Sequence, residues 1–245
     1  MREKEISVFE VLGPVMVGPS SSHTAGACRL ALWARQLADE DIVSCEFTLY
    51  GSFAHTYQGH GTDRALVGGM LGIAEDNPEL RRSFELAKER GLEYSFTIDT
   101  ETDKPHPNMV RFRMENSQGQ VTEVEGKSVG GAAAVITEID GIEVEFTGVY
   151  NTLIVNQVDK PGVLAWITTC LTEANVNIAF LKLFREDRGQ MAFTIIEADE
   201  DIPSEVVERI CEHEHVQTAR SLETLQSAAR RKQRQADEKR GVADA

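Results

Sequence analysis

Asn156-Gln157-Val158-Asp159-Lys160-Pro161-Gly162-Val163 joins a strand pattern to a helix pattern, and the order of elements around it decides the fold of the C-terminal half. Upstream, 153–156 is an apolar strand. Downstream, 161–173 repeats apolar residues at helical spacing, with Pro161 in the first turn, where its missing N–H costs nothing. A strand over 177–184 follows, then a turn at Asp187-Arg188-Gly189, a strand over 191–197, a helix over 204–211 and a strand over 216–221. That is β-α-β-β-α-β in about 70 residues, the ferredoxin-like order. Asp159 and the N-terminus of the helix after it can together hold the ammonium and carboxylate of a free amino acid. The same residues also make a plain strand-to-helix turn.

The N-terminal half has a different texture. Val8-Phe9-Glu10-Val11-Leu12 leads through Gly13-Pro14 to Gly18-Pro19-Ser20-Ser21-Ser22-His23-Thr24-Ala25-Gly26, and a helix is expected over 24–38. Val43 to Tyr50 alternates as a strand. Gly59-His60-Gly61-Thr62-Asp63 opens a second helix through Leu66 and Met70, and 80–90 forms a third, stopped at Gly91. Strands are expected over 94–98, 109–114, 120–124, 132–139 and 142–146, with a hairpin turn at Asn116-Ser117-Gln118-Gly119. The chain is therefore expected to be α+β with two domains, 1–147 and 148–223, followed by a charged helical or frayed tail over 224–245.

Two loops are rich in chemistry. A helix needs one hydroxyl as its cap, so Ser20, Ser21, Ser22 and Thr24 are more than a cap requires. Hydroxyls and free N–H groups at a helix start suit a carboxylate, and His23 can move a proton near neutral pH. In the second loop, glycines on both sides of His60 allow close backbone approach, and Thr62 or Asp63 caps the next helix. Each loop can also be a polar surface turn. Pro105 and Pro107 hold His106 in a stiff segment beside Lys104 and Asn108. Gly126-Lys127-Ser128-Val129-Gly130-Gly131 exposes backbone but lacks phosphate-loop spacing, which excludes nucleotide binding by that motif. His213 and His215, in an acidic stretch, are expected to face solvent. His55 stands without context, and Trp33 and Trp166 are expected in core or interface.

The formal net charge is −15 over 245 residues, which argues against nucleic acid and anionic membranes as partners. The balance is uneven. The tail holds Arg230, Arg231, Lys232, Arg234, Lys239 and Arg240 against only three acids. No apolar run reaches membrane-spanning length, and the charged N-terminus lacks a signal core, so a cytoplasmic location is expected. Cys28, Cys45, Cys170 and Cys211 are scattered, with no Cys-x-x-Cys pair and no iron–sulfur spacing. No metal site is expected on this chain.

Taken together, the 7–14 segment leading into Gly18–Gly26, the Gly59–Asp63 loop and His106-Pro107-Asn108 resemble the beta chain of bacterial iron–sulfur-dependent L-serine dehydratases (L-serine ammonia-lyases). The likeness runs from about Ser7 to Leu222. The Asp-x-Pro-Gly-Val turn at Asp159 to Val163 resembles that of an ACT domain, an amino-acid-sensing module. The resemblance implies a lyase subunit in amino-acid degradation and gluconeogenesis that converts L-serine to pyruvate and ammonia. It implies a 4Fe-4S cluster whose unligated iron acts as Lewis acid on the serine hydroxyl while a base removes the α-proton. The cluster would sit on a separate alpha subunit, giving a heterodimer whose active site this chain lines. By the family motif, Ser20, Ser21, Ser22, His23, Thr24, His60, Thr62 and Asp63 line that site, with His23 and His60 as catalytic candidates. Asp159, Gly162 and Val163 would receive a regulatory amino acid, and the ACT module would pair with a second copy. The Ser128–Ala132 loop departs from a three-glycine form by having Ala132 as its third residue. The first region also resembles the allosteric substrate-binding domain of some D-3-phosphoglycerate dehydrogenases, which keeps open a non-catalytic, amino-acid-binding regulatory role.

Overall fold

The computed structural model describes residues 16–38, 41–185, 187–222 and 224. The 7–14 segment and the tail beyond Thr224 lie outside them. The chain forms two compact units, divided between Thr147 and Gly148.

The first unit begins with a wide helical turn, Ser21–Gly26, that runs directly into helix α1, Ala27–Leu37. The helix expected to start at Thr24 thus begins earlier and in π form. Strand β1, Ile42–Tyr50, leads into a short helix α2, Gly51–Thr56, which the apolar pattern does not announce. Helix α3 is Thr62–Met70. The helix expected over 80–90 is two pieces. A 3-10 turn, Pro78–Arg82, is capped by Asn77, and α4 spans Ser83–Arg90. Strands β2 Glu93–Asp99, β3 Met109–Asn116, β4 Val121–Gly130, β5 Ala133–Ile139 and β6 Ile142–Phe146 complete the unit.

These strands form one six-stranded sheet, ordered β2-β1-β3-β4-β5-β6. Only β1 and β2 run parallel, because a helical crossover, α2 to α4, separates them in sequence. Phe47 is opposite Phe96 on one side and Phe112 on the other. Its ring lies 5.0 Å from the first and 5.7 Å from the second, so three aromatics cross the sheet in one row. The sheet buries Cys45, Phe47, Leu49, Phe112 and Met114, and α1 packs on β4, β5 and α3. Trp33 is in this core, as expected.

The second unit is β7 Asn151–Val158, α5 Val163–Glu173, β8 Ile178–Arg185, β9 Met191–Ala198, α6 Ser204–Cys211 and β10 Val216–Leu222. The sheet is antiparallel, ordered β10-β7-β9-β8, which is the ferredoxin-like arrangement. Leu153, Val155, Ile167, Leu171, Ile196 and Ile210 make its core. Helix α5 starts two residues later than expected. Pro161 stays in the turn, and Gly162 takes a left-handed conformation (φ 97°) just before Val163. His213 and His215 are half-buried rather than solvent-facing, because their rings lie 5.6 Å apart and His213 leans on Trp166.

Helices α1 and α3 approach closely at Gly69. A Cβ there would stand 2.4 Å from the Cys28 carbonyl oxygen, which is backbone and cannot rotate away. Alanine would gain about 1 kcal/mol of helix propensity but would force overpacking of about 1–3 kcal/mol or more. The close backbone contact makes the cost the larger of the two, so Gly69→Ala is expected to lower stability by about 2 kcal/mol or more, to be read from the urea midpoint at unchanged slope.

Candidate functional site

Four loops of the first unit meet. The serine run comes first. Ser20 is extended (φ −137°, ψ 127°), and its Oγ accepts the His23 N–H at 3.0 Å. Its carbonyl accepts from both Thr24 N–H (3.0 Å) and Ala25 N–H (3.3 Å), which is what widens the turn. The following residues are small for a reason: a Cβ on Gly26 would lie 2.0 Å from the Ser128 Oγ on β4. The turn is thus pressed onto the sheet, with Thr24 buried and Ser21, Ser22 and His23 half-buried.

The His60 loop is tied to it. Thr24 Oγ1 donates to the His60 carbonyl at 2.9 Å. Gly61 takes a left-handed conformation (φ 68°), and α3 starts directly after it. The His23 and His60 rings come to 4.7 Å at 54°. His60 Nδ1 and the fully buried Thr62 Oγ1 have no hydrogen-bond partner among the described residues. A cleft of about 180 Å³ opens beside them, lined by Gly18, Thr24, His60, Gly61, Arg64 and Arg81, among others.

Ser22 Oγ lies 3.0 Å from His23 Nδ1, and Ser52 Oγ lies 2.9 Å from His23 Nε2. Ser52 was not among the residues expected here. It belongs to the short α2 and is joined to the third loop, donating its N–H to the Pro107 carbonyl at 2.7 Å. Asn108 closes the circuit: its carbonyl accepts the Ser128 N–H at 2.9 Å. His106 itself turns to its own backbone, its Nδ1 accepting the Asn108 N–H at 3.2 Å.

Charged groups hold the loops in place. Glu125, buried on β4, receives both Lys104 (2.7 Å) and Arg111 (3.3 Å). Lys104 precedes Pro105, so this pair pins the third loop to the sheet. Arg29 bonds Glu75 (2.6 Å) and donates to the Ala132 carbonyl at 2.9 Å. Gly130, Gly131 and Ala132 are all left-handed, so the alanine keeps the backbone path that three glycines would take.

The structure brings together Ser20, Ser22, His23, Thr24 and His60, with Thr62 buried in the adjoining helix start. Ser21 lies on the same turn. Asp63 does not join the histidines. Its Oδ1 accepts its neighbour's N–H, from Arg64, and its electrostatic partners are Arg64 and Tyr94. Burial raises its carboxyl above the usual range.

In the second unit, Asp159 Oδ2 accepts from Arg185 at 2.8 Å and from the Gly189 N–H at 3.4 Å. The Arg185 bond holds this carboxyl below its usual range. One carboxylate oxygen expected for an amino-acid ammonium is thus already engaged. Val163 is a buried core side chain, while Gly162 supplies the turn.

Cys28, Cys45 and Cys170 are buried and Cys211 is exposed. Burial pushes the Cys28 and Cys45 thiols well up, which disfavours thiolates. Among the described residues no group of three or more His, Cys, Asp or Glu is placed to hold a metal ion. None of their helices is long and apolar enough to cross a membrane.

Burial first, and the neighbouring His60 second, depress the His23 pKa from its ordinary 6.5. The ring is therefore kept neutral at pH 7 and able to accept a proton. Below pH 6.5 the unfolded chain binds more protons at this position than the folded one. Stability from this group is full above pH 6.5 and declines as pH falls towards the folded midpoint. In ¹H–¹³C NMR titrations His23 should have its midpoint below 6.5. His60→Ala should raise that midpoint without restoring it fully, since burial remains.

The site geometry stands beside clear likenesses. The family model described as serine dehydratase beta chain matches residues 7–139, and that of the ACT domain matches 151–215. The chain is 41% identical over 219 residues to the L-serine dehydratase beta chain of Peptoniphilus asaccharolyticus, covering 89% of this chain and 99% of that one. It is 35% identical over 204 residues to the probable L-serine dehydratase beta chain of Bacillus subtilis (83% and 92%). A D-3-phosphoglycerate dehydrogenase of Mycobacterium leprae is 28% identical over 181 residues, which is 73% of this chain but 34% of that enzyme. These matches place the chain in the serine dehydratase beta chain family, with an ACT domain following.

Proposed function

We propose that the chain is the beta subunit of an L-serine dehydratase and that its four-loop surface faces an alpha subunit carrying a 4Fe-4S cluster. The single observation that carries this reading is the His23–His60 pair, ring to ring at 4.7 Å and surrounded by Ser20, Ser22, Ser52 and Thr24. Converting L-serine to pyruvate and ammonia requires removal of the α-proton, loss of the hydroxyl as water, and hydrolysis of the resulting enamine. This chain's part is to bind and to move protons. The hydroxyls and the leading N–H groups of the Ser21–Gly26 turn hold the substrate carboxylate. His23, kept neutral by burial, accepts or relays a proton. His60, beside it, disfavours two charges at once. The four cysteines are scattered, three of them buried, and among the described residues no donor group is placed to hold a metal, so the cluster's ligands would come from the alpha subunit.

The ACT domain is proposed to pair with a second copy and to adjust activity. Strand β8 is a sheet edge, with Phe180 53% exposed and Leu181 36% exposed, so side-by-side pairing would remove an open edge. A regulatory amino acid would then meet the free oxygen of Asp159 and the backbone at Gly162. A second reading, a non-catalytic amino-acid-binding regulator, draws on the D-3-phosphoglycerate dehydrogenase likeness.

Anaerobic co-purification with a cysteine-rich partner, followed by a pyruvate assay, decides between the two. Serine turnover by the assembly, with none by this chain alone, is the expected result. His23→Ala and His60→Ala should each lower turnover by about 100- to 10,000-fold while the fold persists. Near-wild-type rates for both would move the chemistry onto the partner. For the ACT domain, light scattering of the full chain should give a dimer that Phe180→Lys weakens. Calorimetry should show an amino acid, serine first, whose affinity falls in Asp159→Ala.

A further inference from the structure

We propose that Ser52 is the positioning residue for His23, holding its imidazole opposite Ser22 and transmitting to it the placement of the 105–108 loop. Three features converge. Both ring nitrogens of His23 face hydroxyls, Ser22 at Nδ1 (3.0 Å) and Ser52 at Nε2 (2.9 Å). A hydroxyl can donate or accept, so this bracket suits a neutral ring that donates from one nitrogen and accepts at the other. It also suits the protonated ring, which donates from both.

Ser52 is itself fixed more firmly than a surface serine. Its N–H donates to the Pro107 carbonyl (2.7 Å), and its carbonyl accepts the Thr56 hydroxyl (2.8 Å). Gly51 before it is left-handed (φ 53°), and a Cβ there would lie 2.6 Å from the Pro107 oxygen, so the approach demands glycine. Phe53 after it is buried and meets the His23 ring edge-on at 5.3 Å. The hydroxyl, moreover, is not used locally. The N-cap position of helix α2 is Tyr50, so Ser52 stands at the second helical residue, where its hydroxyl has no capping role. The Oγ instead crosses to a ring 29 residues away in sequence.

Ser52→Ala removes only the bond to Nε2. The backbone bonds to Pro107 and Thr56 remain, so the fold should survive. The first readout is the side-chain ¹⁵N spectrum of the full-length chain, which needs no partner and no substrate. Ser52→Ala should move the His23 Nε2 resonance and change the balance of its two tautomers, leaving the His106 resonances in place. Ser52→Thr should return the His23 signals towards wild type. Ser52→Cys, with a weak hydrogen-bonding thiol, should displace Nε2 in the same sense as alanine. The second readout rests on the dehydratase reading. In the assembled enzyme, Ser52→Ala should lower kcat by about 10- to 100-fold with a much smaller change in KM, as for a misplaced proton-transfer group. His23 resonances in Ser52→Ala that coincide with those of wild type would overturn the inference, as would a change in KM alone. If the wild-type assembly turned over no serine, the dehydratase reading would fall while the ¹⁵N result still judged Ser52.

Discussion

Everything at the site depends on the Ser20 carbonyl serving two N–H groups, those of Thr24 and Ala25. An ordinary helical turn would send one bond along and rotate each later side chain by about 100° per residue. The shared acceptor widens the turn by one residue, leaving Ser22 and His23 half-buried and bringing the Thr24 hydroxyl to the His60 carbonyl. The widening is possible only because Gly26 lets the turn lie against Ser128. π-turns recur at functional sites for this reason: the inserted residue re-aims a side chain at the cost of one poor bond.

The loops that meet at the turn are held by charge as well as by backbone. Glu125 sits among Lys104 and Arg111, and Arg29 joins Glu75 to the Ala132 carbonyl. A buried carboxylate that loses its charge partner, as Glu75 would on loss of Arg29, is left uncompensated, which typically costs about 3–5 kcal/mol; Glu125 would keep one of its two. Such pairs give little net stability when intact, yet they penalise loop positions other than the native one. On the proposed reading, in which His23 and His60 handle protons, that penalty suits a surface that must hold them within an ångström or so of one geometry. Ala132 fits the same pattern. A left-handed alanine costs about 1–2 kcal/mol against a right-handed one, and its carbonyl is where Arg29 lands.

The second unit spends its charges differently. Asp159, proposed above to meet a regulatory amino acid, has its Oδ2 bound to Arg185 from β8. The ion pair links the β7–α5 turn to the edge strand that also exposes Phe180 and Leu181. A ligand that competed for Asp159 would therefore loosen or shift that strand, and a shift there changes activity only if the ligand prefers one quaternary state.

Much of this was legible in residue order alone. The ferredoxin-like order of the second unit follows from alternating strand and helix periods, which are local properties of backbone geometry. The two histidine loops were visible because glycine, serine and histidine cluster where helices begin, and capping is likewise local. Ser52 was not visible: one serine between a glycine and a phenylalanine carries no period and no motif, and its partner is 29 residues distant. Nor could spacing show that Asp63 would turn to Arg64 and Tyr94, or that Asp159 would meet Arg185. By itself, then, the sequence determined most of the segments that become helices and strands, though not the short α2, and which turns carry polar and histidine side chains, because those depend on neighbours within a few residues. The tertiary structure alone decided which reactive groups face one another. That pairing depends on how closely α1 approaches α3 at Gly69 and the Ser21–Gly26 turn approaches β4 at Gly26, distances that only close packing sets.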